Sequence, residues 1–127
     1  MSIEKKYFTV EEANAVIPQL LVDIPRLQEL MVNLTQKFPD VKKARGKAHL
    51  NGGSLQGVDY INCVFKINCL TEQLESKGLI LKGIKYGLVD FLSLREGREV
   101  YLCWKIPESR IEYWHDIQAG FTGRQRI

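Results

Sequence analysis

Long apolar runs, a strong net charge and paired cysteines are all missing from this sequence of 127 residues. No window approaches the roughly 18 apolar residues that cross a bilayer, and no apolar run of signal-peptide length follows the start. The formal net charge of +3 is too small to predict a nucleic-acid partner, because phosphate binding needs clustered cations. We therefore expect a cytoplasmic protein with no membrane or nucleic-acid partner. The length indicates a single domain over residues 1–127.

Cysteine is scarce, with residues only at Cys63, Cys69 and Cys103. An odd number cannot pair completely within one chain, and the Cys-x-x-Cys spacing of structural zinc motifs is absent. Cys63 and Cys69 lie six residues apart, about 120° around a helix, so they do not converge on one ligand. We expect reduced thiols, with Cys63 and Cys69 acting as small buried apolar side chains.

Two long helices are predicted in the N-terminal part, residues 7–77. Thr9 and Glu12 form a capping box that starts the first helix. Pro18 and Pro25 fall inside it and predict a bend or a new start near them. The apolar residues alternate spacings of four and three, the period of a helix packed against another helix; they are Ala13, Ile17, Leu20, Ile24, Leu27, Met31, Leu34 and Phe38.

A basic loop near residues 40–53 separates this helix from a second one, which starts at Ser54 and runs to about Lys77. We expect the two helices to pair as an antiparallel hairpin. The second helix also has an apolar face that needs another partner, either the C-terminal part or another subunit. We therefore predict a homodimer, and the residues of this face are Val58, Ile61 and Phe65.

The C-terminal part, residues 78–127, changes to strand patterns. Leu79–Lys82 is a short strand, and residues 88–94 and 98–105 are β-rich runs that predict a hairpin. Residues 108–120 have an apolar stripe and a terminal glycine, which predict a short helix. The fold class is α+β, a long antiparallel helical hairpin packed with a small antiparallel β-sheet and a short C-terminal helix.

The hairpin turn fixes which side chains share a face. Glu96-Gly97 is suited to a two-residue turn, and in that register Asp90 lies opposite Cys103. Alternation then places Tyr101 and Lys105 on the same polar face as these two residues. The other face is apolar and predicts the core; it comprises Val89, Phe91, Val100, Leu102 and Trp104.

Several motifs together resemble a bacterial family designated domain of unknown function 2203. They are YFTVEEANAVIPQL, GLVDFLSL, GREVYLCWK, YWHD and GFTGRQ, and they span roughly residues 7–35 and 78–126. The resemblance implies a small bacterial cytoplasmic protein without an assigned reaction. Pro107 stands where a glycine would be expected. The family signature falls on Asp90, Trp104, Glu108, Trp114, His115, the acid Asp116, Gly120, Gly123 and Arg124.

The sharpest functional hypothesis is a mononuclear transition-metal site around His115. A neutral imidazole with carboxylates is a ligand set of iron, manganese or zinc, and no organic cofactor is predicted. Glu112 lies three residues before His115, so both would share one face of a helix. Lys105 and Arg124 are candidates for holding a small or ionic ligand, since cations clamp anions. The predicted metal ligands are Asp90, Glu108, His115, Asp116 and Cys103.

Three other interpretations stay open. In a structural one, His115 and Asp90 hydrogen-bond each other or the backbone and fasten the C-terminal segment to the sheet. In a hydrolytic or thiol enzyme, Cys103 would be the nucleophile, with His115 as base and Asp90 orienting it. In an interaction module, the helical hairpin docks a partner or a second copy and no site is needed.

Overall fold

The computed structural model describes residues 5–37 and 55–127 and has an α+β fold. Two helices precede one five-stranded antiparallel sheet, and the strands lie side by side in sequence order. No helix of the described residues is long and apolar enough to cross a membrane. The elements are α1 (Val10–Lys37), α2 (Leu55–Ser76), β1 (Leu79–Gly83), β2 (Leu88–Arg95), β3 (Arg98–Lys105), β4 (Tyr113–Asp116) and β5 (Gln125–Arg126).

Helix α1 begins at the predicted capping box. The Glu12 amide donates to Thr9 Oγ1 and the Thr9 amide donates to Glu12 Oε1, each at 3.0 Å. The helix continues without a break through Pro18 and Pro25. Both prolines are exposed, so the missing backbone donors lie on the solvent side. The opposite face is buried in the core. It contains five of the eight apolar residues of the predicted pattern, namely Ala13, Ile17, Leu20, Ile24 and Leu27.

Helix α2 packs against α1, and the Cys63 thiol donates to the Leu30 carbonyl at 3.5 Å. Phe38 and the predicted basic loop near residues 40–53 lie outside the described residues. The prediction that Cys69 is buried is wrong, because its side chain is exposed, while Cys63 is half-buried. The C-terminal part does not cover the second apolar face of α2, whose residues Val58, Ile61 and Phe65 are 52%, 65% and 66% exposed.

The β2–β3 hairpin has the predicted register, with Asp90 opposite Cys103. Its two turn residues, Glu96 and Gly97, have φ angles of 54° and 76°, as a tight hairpin turn with two left-handed residues requires. The helices pack on the predicted core face of the sheet, and Val89, Phe91, Val100, Leu102 and Trp104 are all buried there. Asp90 and Cys103 therefore point to the face turned away from the helices.

The predicted short helix between residues 108 and 120 is wrong, because residues 113–116 form strand β4 at the edge of β3. The edge of β3 has unpaired backbone N–H and C=O groups, and hydrogen bonds to them stabilise this segment as a strand more than its weak apolar stripe stabilises a helix. Strand alternation sends Trp114 into the core and His115 to the opposite face. Glu112 and His115 consequently do not form the predicted pair on one helix face.

Candidate metal centre

Three adjacent strands each contribute one buried polar side chain to the face turned away from the helices. The register of β2 and β3 pairs Asp90 with Cys103, and the register of β3 and β4 pairs Tyr101 with His115. Tyr101 and Cys103 are two residues apart on β3, so all four side chains point to the same face. The sheet itself therefore brings Asp90, Cys103 and His115 together.

These three side chains form a compact buried cluster. Asp90, Cys103 and His115 are only 2%, 1% and 2% exposed. A carboxylate oxygen, the thiol sulfur and an imidazole nitrogen lie within 4.8 Å of one another. Metal–ligand bonds of about 2.0–2.3 Å place the donor atoms of a tetrahedral zinc site about 3–4 Å apart. Small side-chain rotations therefore suffice to bring the three donors around one ion.

The imidazole of His115 is held in a defined tautomer. Its Nδ1 lies 2.8 Å from the backbone carbonyl of Asp116, and because a carbonyl only accepts, Nδ1 carries the hydrogen. Nε2 then points into the cluster, 3.2 Å from Oδ2 of Asp90. A backbone carbonyl bound to the other ring nitrogen is one of the common ways in which proteins orient a metal-ligating histidine.

Asp90 needs a positive partner in this environment. Burial raises the pKa of its carboxyl, while the nearby His115, Cys103 and Lys82 oppose that shift. Two lone pairs facing each other at 3.2 Å repel unless a proton or a cation lies between them. The contact between Asp90 and His115 therefore calls for either a shared proton or a metal ion.

Cys103 is a protonated thiol when no metal is bound. Burial, and then the charge of Asp90, raise the pKa of this thiol to about 12. The thiol hydrogen-bonds Asp90, so the cluster runs from Cys103 to Asp90 to His115. A nucleophilic cysteine needs a lowered pKa and a base at its sulfur. This arrangement disfavours the thiol-enzyme interpretation, whereas a bound metal ion would deprotonate the thiol outright.

Glu108 and Asp116, the two other predicted ligands, lie outside this cluster and pair with arginines. Glu108 follows the end of β3, and its two carboxylate oxygens accept from Arg124 Nη2 at 2.7 and 2.8 Å. Asp116 follows His115 directly on β4, so it points to the opposite face, where it pairs with Arg98 at 3.3 Å. The structure thus brings together three of the five predicted ligands.

Both residues predicted to hold a small or ionic ligand lie close to the cluster. Arg124 Nη2 is 3.3 Å from the carbonyl of Cys103, and its guanidinium lies 4.0 Å from the centre of the Tyr113 ring. Lys105 shares the face of Cys103, with Nζ 5.5 Å from the centre of the Phe121 ring. Lys82, whose charge acts on Asp90, was not among the site residues predicted from the sequence. It lies where the pairing of β1 with β2 shifts register, between Leu81 and Gly83, and the sequence did not predict this shift.

The family model described as an uncharacterized conserved protein (DUF2203) matches residues 6–127. The chain belongs to this family. No curated protein and no solved structure matches the chain significantly. The DUF2203 match covers the sheet, with Asp90, Cys103 and His115, and also residues 39–77, which contain none of the motifs that carry the resemblance. The description of the DUF2203 family names no reaction.

Proposed function

We propose that this DUF2203 protein binds one zinc ion through Asp90, Cys103 and His115. The observation that carries the proposal is the convergence of a carboxylate, a thiol and an oriented imidazole within 4.8 Å at a buried point. Buried polar groups of this kind are costly unless they are paired or coordinate a metal. A bound metal ion would offset the desolvation cost of all three side chains.

The donor set favours zinc over the two other metals predicted from the sequence. Zinc accepts thiolate, imidazole and carboxylate in one tetrahedral site, whereas manganese prefers oxygen ligands. The common non-haem iron site uses two histidines and one carboxylate, and this cluster has only His115. Three protein ligands leave a fourth position, which is the arrangement of catalytic rather than structural zinc sites.

Elemental analysis tests the proposal directly. Protein purified without chelators should contain about one zinc ion per chain, because the buried donors form a single site. His115→Ala and Cys103→Ser should lose the metal, with circular dichroism verifying that each variant is folded. Asp116→Asn and Glu108→Gln are matched controls that should keep it, since their carboxylates pair with arginines. A folded wild-type protein that takes up no zinc on reconstitution contradicts the proposal.

A second candidate function is homodimerisation through α2, and we propose it because one face of this helix is apolar and exposed. Val58, Ile61 and Phe65 lie at spacings of three and four residues, with exposures of 52%, 65% and 66%. A symmetric dimer would pack this face against its own copy, which is the commonest closed arrangement of identical chains.

Light scattering after gel filtration measures the mass and tests the dimer. Wild-type protein should have the mass of a dimer at tens of micromolar, and Phe65→Glu should have the mass of a monomer, because a charge would be buried in the interface. Val22→Glu changes an apolar residue of α1 that is 60% exposed, and it should leave the mass unchanged. A monomeric wild-type protein at these concentrations rules the interface out.

A further inference from the structure

We propose that the metal centre takes a small anion as its exogenous ligand, recruited by a cationic rim made of Lys82, Lys105 and Arg124. This inference rests on the proposed zinc site and specifies what fills its fourth position.

Each cation of the rim lies on an aromatic ring. Lys82 Nζ is 5.2 Å from the centre of the Tyr101 ring, and that ring lies 5.6 Å from the ring of His115. The guanidinium of Arg124 lies 4.0 Å from the centre of the Tyr113 ring, and Tyr113 pairs with Cys103 in the sheet. Lys82 therefore lies near the His115 side of the cluster and Arg124 near the Cys103 side.

The proposed zinc site and its cationic rim together have a positive net charge, which one more negative group would reduce. A zinc ion with a thiolate, a carboxylate and a neutral imidazole has no net charge. Glu108 compensates Arg124 by accepting both of its short hydrogen bonds. Lys82 and Lys105 form no ion pair within residues 5–37 and 55–127. The rim therefore has uncompensated positive charge, which favours an anion over water at the metal.

One donor of the rim is also left without a partner. The Nε atom of Arg124 is buried and has no hydrogen-bond acceptor among the described residues. Buried donors in folded proteins are nearly always paired, so such an atom needs an explanation. It belongs to the guanidinium whose Nη2 lies 3.3 Å from the backbone carbonyl of Cys103. The proposed anion would supply the missing acceptor.

Burial limits the size of the anion. Each of the three ligand residues is at most 2% exposed, so a large substrate cannot reach the metal without displacing the side chains that cover it. A small inorganic anion or a short carboxylate is the class of ligand that fits.

Cobalt-substituted protein and sodium azide test the inference. Bound cobalt gives a thiolate-to-cobalt absorption band and visible d–d bands, and azide should shift the d–d bands in a saturable way. Lys82→Met and Lys105→Met should each weaken azide binding roughly fivefold through the loss of one nearby charge. Lys85→Met is the matched control, because its Nζ also lies on an aromatic ring, 5.7 Å from the centre of Tyr86, and the variant should bind azide like the wild type.

The possible failures are distinguishable. Absence of the thiolate band shows that the proposed metal site is wrong, and the anion position falls with it. A thiolate band with d–d bands that do not respond to azide overturns the anion position alone. Equal weakening in Lys85→Met and the two rim variants overturns the role of the rim.

Discussion

His115 Nε2 lies 3.2 Å from Asp90 Oδ2, although the strands that carry the two residues are separated by β3. Both side chains reach over β3 on the face where Cys103 points, and all three are almost completely buried. An ion pair or a shared proton in such a place costs desolvation energy that a hydrophobic replacement would avoid. A cluster that only fastened β4 to the sheet would therefore cost stability. The proposed metal binding would give it a function.

The first prediction is that zinc stabilises the protein. An ion that binds only the folded chain adds about 2.7 kcal/mol to the free energy of unfolding at a hundredfold excess over its Kd. For a domain of this size, the midpoint of thermal unfolding should rise by roughly 10 °C. Calorimetry of metal-free and zinc-loaded protein measures this shift.

His115→Ala is the control for this prediction. It removes the imidazole whose Nε2 faces the cluster, so added zinc should raise its unfolding midpoint by little. An equal rise in the wild type and in His115→Ala would mean that zinc binds elsewhere in the chain.

The second prediction concerns which cysteine reacts with thiol reagents. Cys69 is exposed and should be labelled rapidly by iodoacetamide at neutral pH, whereas Cys103 is 1% exposed and should react at least roughly a hundredfold more slowly. Mass spectrometry of peptides sampled over time measures both rates. In Cys69→Ser the fast phase at this position should disappear, and rapid labelling of Cys103 in folded protein would contradict the buried cluster.

The third prediction is that metal-free protein loses stability at alkaline pH because of Cys103. Its pKa in the folded state is raised to about 12, while an unfolded thiol ionises near pH 8.5–9. Unfolding therefore releases a proton above about pH 9, and the free energy of unfolding falls by about 1.4 kcal/mol per pH unit until pH approaches 12.

Urea unfolding at pH 8 and pH 10 with a chelator present measures this loss. The wild type should lose about 1.5 kcal/mol more than Cys103→Ala between the two values, because groups common to both proteins cancel in the comparison. Identical losses would show that the thiol ionises equally in the folded and unfolded chains.

Two of the three residues of the cluster, Asp90 and Cys103, could be placed together from the sequence. The Glu96-Gly97 turn has two residues, so it permits one register and thereby pairs Asp90 with Cys103. The alternation of side chains along the two strands also predicted the core face of the hairpin. These features depend on interactions between residues that are close in the sequence, where turn type and side-chain period decide the outcome.

The position of His115 was not predictable in this way. Its segment has the weak stripe of a helix, and only pairing with the free edge of β3 turns it into a strand that places His115 opposite Tyr101. The partner of Glu108 depends equally on a distant contact, since Arg124 lies sixteen residues further along the chain. Contacts of this kind are set by tertiary packing, which local periodicity does not encode.

The last prediction compares two arginines near the C-terminus. Arg124 pairs with Glu108 where their side chains are only 13% and 26% exposed, whereas Arg126 pairs with Glu112 with its own side chain 75% exposed. Glu108 also accepts from the Lys105 amide at 2.8 Å, and its carbonyl accepts from Trp104 Nε1 at 2.7 Å. The Arg124 pair therefore holds the turn after β3 against the core.

Removing each arginine should separate a partly buried ion pair from an exposed one. Arg124→Met should lower the free energy of unfolding by about 2 kcal/mol, less than the 3–5 kcal/mol typical of fully buried pairs, because it leaves Glu108 without its cation. Arg126→Met should cost less than about 1 kcal/mol, since solvent screens exposed pairs. Urea unfolding measures both changes, and equal losses would mean that the Arg124 pair does not fasten this turn.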